Sequence, residues 1–204
     1  LLFGKHGLPF IGSGDWNDGM DQVGHKRVGE SVWLAFFLYD VLVHFADTAA
    51  EYGDAPFAET CKNEAFTLQS NIEASGWDGE WYKRAWFDDG TPLGTKTNEE
   101  CRIDAIAQSW SVLSGAGAKE RTITAMASLD KYLVRRDLKL IQLLDPPFNG
   151  QGLNPGYIQG YVPGVRENGG QYSHAAIWTL MAFAALGERE KVYELFSMIQ
   201  PLSH

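Results

Sequence analysis

Hydrophobic residues recur along the chain at the three- and four-residue spacing of amphipathic helices. Three pairs of helices are predicted on this pattern, at 30–52 with 56–75, 104–114 with 119–135, and 173–186 with 188–199. Glycine follows several of these segments, as it commonly does at helix C-termini. The pattern therefore predicts a helical scaffold built from hairpins.

The first helix of each pair carries a tryptophan in its opening turns, namely Trp33, Trp110 and Trp178. Their spacings are too uneven for a strict repeat, yet they indicate stacked helical hairpins. Between the pairs, residues 80–94 predict a short strand and turn, and residues 138–150 an extended apolar run ending at two prolines. We expect an all-α fold, an α/α toroid with short β-hairpin or extended insertions.

Charged and amide side chains are concentrated before the first helix of each pair, in segments 14–30, 98–104 and 166–174. In a toroid of hairpins these three segments emerge at the same end of the inner helices. Helix N-termini at that end also present positive partial charge. The sequence therefore predicts a pocket at this mouth.

Composition narrows the possible functions. The 204 residues are 45% hydrophobic and 21% charged, which is typical of a globular chain, and the formal charge of −9 argues against a nucleic-acid partner. Cys61 and Cys101 lie in no disulfide framework and are interpreted as free thiols. The longest apolar run, 32–46, is interrupted by Asp40 and His44 and is interpreted as an amphipathic or buried helix. The five histidines show no ligand spacing, so no metal site is predicted.

The segment 13–20, SGDWNDGM, places two carboxylates and an amide around a tryptophan on a flexible backbone. A carboxyl beside an aromatic wall can have its pKa raised by desolvation and serve as a general acid, so Asp15 or Asp18 is a candidate. Trp16 offers a platform for a sugar ring, and Asn17 can bind hydroxyls. The structural alternative is an Asx-rich turn in which Asp18 bonds to its own backbone.

A second cluster lies at 164–174, GVRENGGQYSH. Arg166 offers a planar fork for an oxyanion, and His174 falls in the first turn of a helix, where an anion is favoured. The alternative is a glycine loop with a salt-bridged Arg166 and a capping Ser173. Between the two clusters, Glu100, Asp104 and Glu30 have roles left open between pocket lining and helix capping.

Four blocks in order resemble one known family: GSGDWNDGM at 12–20, GESVWLAFFLYDVL at 29–42, IDAIAQSWSVLSG at 103–115 and GYVPGVRENGGQYSHAAIW at 160–178. The chain resembles the inverting glycoside phosphorylases of glycoside hydrolase family 94. Within it, the blocks look most like the C-terminal phosphorylase-like domain of cyclic β-1,2-glucan synthases. The resemblance extends from about residue 5 to 187 and implies an (α/α)6 catalytic barrel.

The resemblance also implies roles for individual residues. It places the general acid at Asp18 and the phosphate-binding histidine at His174. Substrate contacts are expected from Asp15, Trp16, Asn17, Tyr161, Arg166, Glu167 and Gln171. Tyr157 stands where cellobiose-acting relatives have a glutamate, which favours a linkage other than β-1,4. No cofactor is expected, since inorganic phosphate is the co-substrate.

The implied reaction is phosphorolysis of a β-glucosidic bond, with β-1,2-glucan as substrate. Residues 1–204 are expected to be a fragment of one (α/α)6 domain, with further barrel helices on both sides and little activity alone. Expected partners are an oligosaccharide, phosphate and the remainder of a larger synthase chain. That chain could be anchored in a membrane by another segment, and a homodimer is the other expected assembly. The resemblance favours the cytoplasm or the cytoplasmic side of a bacterial inner membrane.

Two other functions remain open at this stage. One is an inverting β-glucan hydrolase, with Glu30, Glu100 or Glu167 as the base that activates water. The other is a glucan-binding or chain-length-control module without turnover. A purely structural helical repeat is the plainest alternative.

Overall fold

The computed structural model describes residues 2–150 and 152–203. In this part of the chain the α-helices are α1 (Val32–Glu51), α2 (Ala55–Ser75), α3 (Ala105–Leu113), α4 (Lys119–Leu133), α5 (Ser173–Ala185) and α6 (Arg189–Ile199). Each corresponds to a predicted helix, with ends that agree within two residues. The predicted all-α fold class is confirmed as a mostly helical domain, although the described helices form no closed barrel.

The first helices of the three pairs are neighbours in space. α3 lies between α1 and α5, and each of the three packs against its own partner, α2, α4 or α6. α1 is long and apolar enough to cross a bilayer by length and composition alone, but it packs along α2 with its apolar segment partly buried. The three pairs are therefore stacked hairpins, as the hydrophobic pattern predicts.

The opening tryptophans of α1, α3 and α5 meet at one place. The ring of Trp110 lies 5.2 Å from that of Trp178 and 6.1 Å from that of Trp33, and Trp33 and Trp178 are 6.2 Å apart between ring centroids. Edge-to-face and offset pairs of this kind add to the stabilisation from burial. The tryptophan cluster therefore fixes the N-terminal halves of the three helices relative to one another.

Two of these helices begin later than predicted because a two-residue strand precedes each of them. The strands are β1 (Glu30–Ser31), β2 (Ala85–Trp86), β3 (Pro92–Leu93), β4 (Ile103–Asp104), β5 (Val134–Arg135), β6 (Leu140–Ile141) and β7 (Leu144–Asp145). β1, β2 and β3 form an antiparallel sheet, β4 pairs with β7, and β5 pairs with β6. The insertions thus hold the starts of α1 and α3.

Side-chain N-caps stabilise the starts of α1 and α3. The Ser31 hydroxyl accepts a hydrogen bond from the Leu34 amide, and the Asp104 carboxylate accepts one from the Ile106 amide. Such caps satisfy amides that have no partner within the helix. α5 begins after Tyr172 with no side-chain cap, so Ser173 is not its cap.

Candidate functional site

The loop 13–20 presents Asp18 to solvent and keeps its neighbour Asn17 inside. Asp18 opens a short 3-10 helix, Asp18–Met20, and Asn17 caps it by accepting a hydrogen bond from the Gly19 amide at 3.1 Å. Asn17 is only 1% exposed, whereas Asp18 is exposed. The structure therefore gives the Asn17 side-chain oxygen a capping role and leaves the Asp18 carboxyl facing outwards, and the sugar contact of Asn17 stays a prediction.

Asp15 is held by a buried arginine. Its two carboxylate oxygens accept hydrogen bonds from both terminal nitrogens of Arg84, at 2.5 and 2.7 Å, and the Ser31 hydroxyl donates a third at 2.6 Å. Both ionic side chains are completely buried. Burial alone would raise the pKa of Asp15, but the charge and hydrogen bonds of Arg84 outweigh it and lower that pKa.

The substrate contact predicted for Asp15 is therefore corrected to a structural role, because no surface of its side chain is accessible to a sugar. The same arginine also faces Asp104, whose second oxygen lies 3.3 Å from Arg84 Nε without the alignment of a hydrogen bond. Burial raises the pKa of Asp104 to about 6 despite this neighbour. One guanidinium thus joins the loop 13–20 to the starts of α1 and α3.

Trp16 links this loop to the first turn of α5. Its indole nitrogen lies 3.1 Å from Nδ1 of His174, and its ring lies against those of Tyr172 and Trp178, at 5.1 and 5.8 Å between centroids. The His174 ring is 4.1 Å from that of Trp178. The loop of the predicted acid and the predicted phosphate-binding histidine are therefore in direct contact, although 158 residues separate Trp16 and His174.

A second set of side chains reaches Asp18 from the segment 154–166. The Tyr157 amide donates to Asp21 at 3.0 Å, which places the exposed Tyr157 side chain beside Asp18. Hydrogen bonding to Asp18 raises the pKa of Tyr157 to about 12. The rings of Tyr157 and Tyr161 meet edge to face at 6.2 Å, and the Arg166 guanidinium lies 4.7 Å from the centre of the Tyr161 ring. Tyr161 and Arg166 are thereby on the same side of the molecule as Asp18.

The loop 164–171 is closed on itself around Asn168. This buried amide donates to the carbonyl oxygens of Phe148 and Tyr161, both at 2.8 Å, and accepts from the Phe148 amide at 2.7 Å. Gly170 permits the closure, because a Cβ there would lie 2.8 Å from the carbonyl oxygens of Arg166 and Gly164. The loop therefore presents the exposed Arg166 from a fixed backbone.

Two other predicted contacts in this loop are partly engaged by the protein. Glu167 is 8% exposed, with its carboxylate 3.4 Å from Arg166 Nε, and the Gln171 side-chain oxygen accepts from the Ile141 amide at 2.9 Å. Both belong to the same loop as Arg166, residues 164–171. Their predicted sugar contacts stay predictions.

The remaining candidate carboxylates are buried. Glu30 is 2% exposed and accepts from the amides of His6 and Leu8, each at 3.0 Å. Glu100 is 6% exposed and accepts from the Asn149 amide at 2.8 Å. Each holds a loop in place.

Sequence reasoning missed the two residues that organise the site, Arg84 and Asn168. The sequence contained one signal for Arg84, which is a charged residue within the apolar run of a predicted strand. Asn168 carried no such signal, because an asparagine beside two glycines is equally typical of a solvent-exposed turn. The sequence distinguishes Tyr157 only by its difference from relatives, because its position beside Asp18 depends on the fold.

Comparison with known proteins identifies the family of this chain. Residues 2–204 match the family model described as "Glycosyl hydrolase 94 superfamily, catalytic domain". The chain is 47% identical over 201 residues to the cyclic β-(1,2)-glucan synthase NdvB of Rhizobium meliloti, covering 98% of this chain and 7% of the relative.

Two phosphorylases of Paenibacillus borealis are also similar. Solabiose phosphorylase is 33% identical, covering 97% of this chain and 26% of the relative, and 3-O-β-D-glucopyranosyl-β-D-glucuronide phosphorylase is 32% identical, covering 97% and 25%. The chain thus spans about a quarter of the length of these phosphorylases. With the family model matching nearly every residue, the chain belongs to the glycosyl hydrolase 94 superfamily, within its catalytic domain.

Proposed function

We propose that this chain supplies the general acid and part of the phosphate site of an inverting glycoside phosphorylase-type domain. The observation that carries the proposal is the contact between Trp16 and His174, which brings the loop of Asp18 to the first turn of α5. The loop that carries the proposed proton donor and the proposed oxyanion-binding histidine are then neighbours on the surface. Family membership and the phosphorylase relatives support the same reaction type.

The proposed reaction needs one carboxyl group only. Protonated Asp18 donates its proton to the glycosidic oxygen as the bond to the anomeric carbon breaks. Phosphate attacks that carbon from the opposite face, through an oxocarbenium-like transition state, and a β-glucoside yields an α-glucosyl phosphate. Phosphate is already anionic, so it needs donors such as His174 and Arg166 and no base.

The burial of the other carboxylates favours phosphorolysis over hydrolysis. An inverting hydrolase requires a second carboxylate that can reach a water molecule on the far face of the sugar. Glu30, Glu100 and Glu167 are each at most 8% exposed, and the first two already accept backbone amides. A water-activating role for any of them would require the local structure to open.

We further propose a β-1,2-glucan as the substrate and Trp16, Tyr161 and Arg166 as sugar-binding residues. The first of these proposals is supported by the name of the glucan synthase relative. The second is supported by the aromatic and cationic side chains around Asp18, since sugar rings stack on aromatic faces and the guanidinium fork suits hydroxyl pairs.

The test uses the full-length protein that contains these residues. Incubation with β-1,2-linked glucooligosaccharides and inorganic phosphate is expected to release an α-glucosyl phosphate, with no sugar released when phosphate is omitted. Asp18→Asn is expected to reduce the rate by about 100-fold or more, the usual effect of losing a general acid. Asp47→Asn, which changes an exposed carboxylate of α1, is the control and is expected to have no effect.

Three results would count against the proposal. Sugar release that does not need phosphate would indicate a hydrolase. Binding of the glucan with no turnover under any condition would indicate a chain-length-control or binding module. Full activity in Asp18→Asn would reject this residue as the acid.

A further inference from the structure

The hydrogen bond between Trp16 and His174 restricts where the histidine carries its proton. An indole nitrogen is a donor only, and the Trp16 nitrogen lies 3.1 Å from Nδ1 of His174. Nδ1 must therefore be the unprotonated, accepting nitrogen, and the proton of the neutral ring is on Nε2.

The surroundings hold the pair in this arrangement. The Trp16 ring lies edge to face against Tyr172 at 5.1 Å, and the His174 ring lies 4.1 Å from that of Trp178. Both contacts limit rotation of the two rings about their own bonds. His174 itself is exposed in the first turn of α5, where backbone amides also favour an anion.

We propose that Trp16 is a positioning residue that holds His174 as the neutral tautomer with its proton on Nε2, so that Nε2–H donates to the phosphate co-substrate. This inference rests on the proposed phosphorolysis. Trp16 stands two residues before Asp18, so the loop that carries the proposed acid also orients the N–H of His174 that donates to phosphate. Its indole N–H is then used within the protein, and any sugar contact of Trp16 is made by the ring face.

The decisive variant is Trp16→Phe in the full-length protein, which keeps an aromatic ring and removes only the N–H donor. Freed of that donor, the neutral ring of His174 can carry its proton on Nδ1 instead, which leaves Nε2 without a proton to donate. We expect the KM for phosphate to rise about threefold to tenfold near pH 7.5, the loss expected for one hydrogen bond.

The side chain at position 174 separates this role from simple packing. Glutamine in place of His174 also offers an N–H donor but has no tautomers for Trp16 to select. Trp16→Phe is therefore expected to raise the KM for phosphate about threefold to tenfold when His174 is present, and by less than about twofold in the His174→Gln background.

Trp178→Phe is the matched control. It also replaces an indole that touches the His174 ring, but one that makes no hydrogen bond to it. The factor by which it changes the KM for phosphate is expected to be similar with His174 and in the His174→Gln background, whatever its absolute value. Equal factors for Trp16→Phe in the two backgrounds would overturn the inference.

Calorimetric titration of the same proteins with inorganic phosphate gives the corresponding ratio of dissociation constants without turnover. The inference is therefore decided separately from the proposed reaction. A full-length protein that releases no sugar phosphate, yet shows weaker phosphate binding in Trp16→Phe only when His174 is present, would reject the phosphorolysis and retain the role of Trp16. Phosphate binding that is absent from the wild-type protein would reject both.

Discussion

Asp15 and Asp18 belong to the same loop and have opposite environments. Asp15 faces inwards, where Arg84 and Ser31 engage both of its oxygens, and Asp18 faces outwards beside Tyr157. The sequence motif alone cannot distinguish them, because both aspartates lie in one short glycine-flanked loop beside the same tryptophan and asparagine. The difference arises from a partner 69 residues away along the chain, Arg84, which no local pattern assigns to Asp15.

Asp104 gives a prediction about pH at the scale of a single residue. Its pKa is raised to about 6 in the folded protein, against an ordinary value of 3.8. The folded state therefore binds this proton more tightly than the unfolded state, so its contribution to stability is greatest below about pH 4 and is lost as the pH rises to about 6. Asp104→Asn keeps an oxygen that can cap α3 and removes this titration.

We expect Asp104→Asn to be about 1 kcal/mol more stable, relative to wild type, near pH 7 than near pH 5, because only wild type loses the stabilisation from this proton. Urea unfolding curves at the two pH values measure this difference. Asp54→Asn, at the exposed start of α2, is the control for an ordinary capping carboxylate. A relative stability of Asp104→Asn that is equal at the two pH values would contradict a raised pKa.

At the scale of elements, the helices were predictable and their mutual arrangement was not. Repeated apolar spacing, glycine after the last turn and capping side chains are local signals, so the helix ends agree within two residues. The two-residue strands β1 and β4 have no such signal, since their pairing partners, β2 and β7, lie about 40 or more residues away. The equivalent positions of Trp33, Trp110 and Trp178 indicate stacked hairpins. The contact between their rings follows from that stacking and has no signal of its own.

Arg84 is the residue on which this arrangement of elements depends. From the position just before β2 it reaches Asp15 in the loop 13–20, Ser31 at the cap of α1 and Asp104 at the cap of α3. Arg84→Met keeps much of the side-chain volume and leaves two buried carboxylates without their cation. Removing one partner of a buried ion pair typically costs about 3–5 kcal/mol, so we expect a loss of that size in the unfolding free energy.

A matched change is Arg121→Met, which removes a partly exposed pair with Glu73 and is expected to cost about 1 kcal/mol. Pulse proteolysis in urea, with cleavage mapped to residues 13–31, compares the two variants. Equal losses would show that burial of the Arg84 cluster does not determine its contribution. A normal unfolding midpoint for Arg84→Met would contradict the structural role given to Asp15.

At the scale of the whole molecule, the described helices leave apolar side chains uncovered. Phe37, Val41 and Phe45 follow one another at four-residue intervals on α1 and are 38–50% exposed, and Ile177 and Met181 do the same on α5 at 42% and 51%. Phe37 also stacks on Trp33, at the edge of the tryptophan cluster. Exposed apolar rows of this kind mark surfaces that pack against other protein.

We expect these rows to be covered by helices from other parts of the same polypeptide. The chain corresponds to 26% of the solabiose phosphorylase and 7% of the glucan synthase that it resembles, so most of such a protein lies outside it. α1 and α5 are also first helices of their pairs, which would form the inner layer of a completed toroid. The exposed rows are where that layer would continue.

Met181, in the exposed apolar row of α5, allows this expectation to be tested. In the full-length protein Met181→Lys places a charge at what we expect to be a buried helix–helix contact, and an unpaired buried charge costs several kcal/mol. Tyr193→Lys, on α6 and 74% exposed, is the matched change on a partner helix and is expected to lie within about 0.5 kcal/mol of wild type. Soluble yield and thermal unfolding of the two full-length variants measure the contrast. Equal tolerance of both lysines would mean that the α5 row remains in solvent and that the toroid is completed elsewhere.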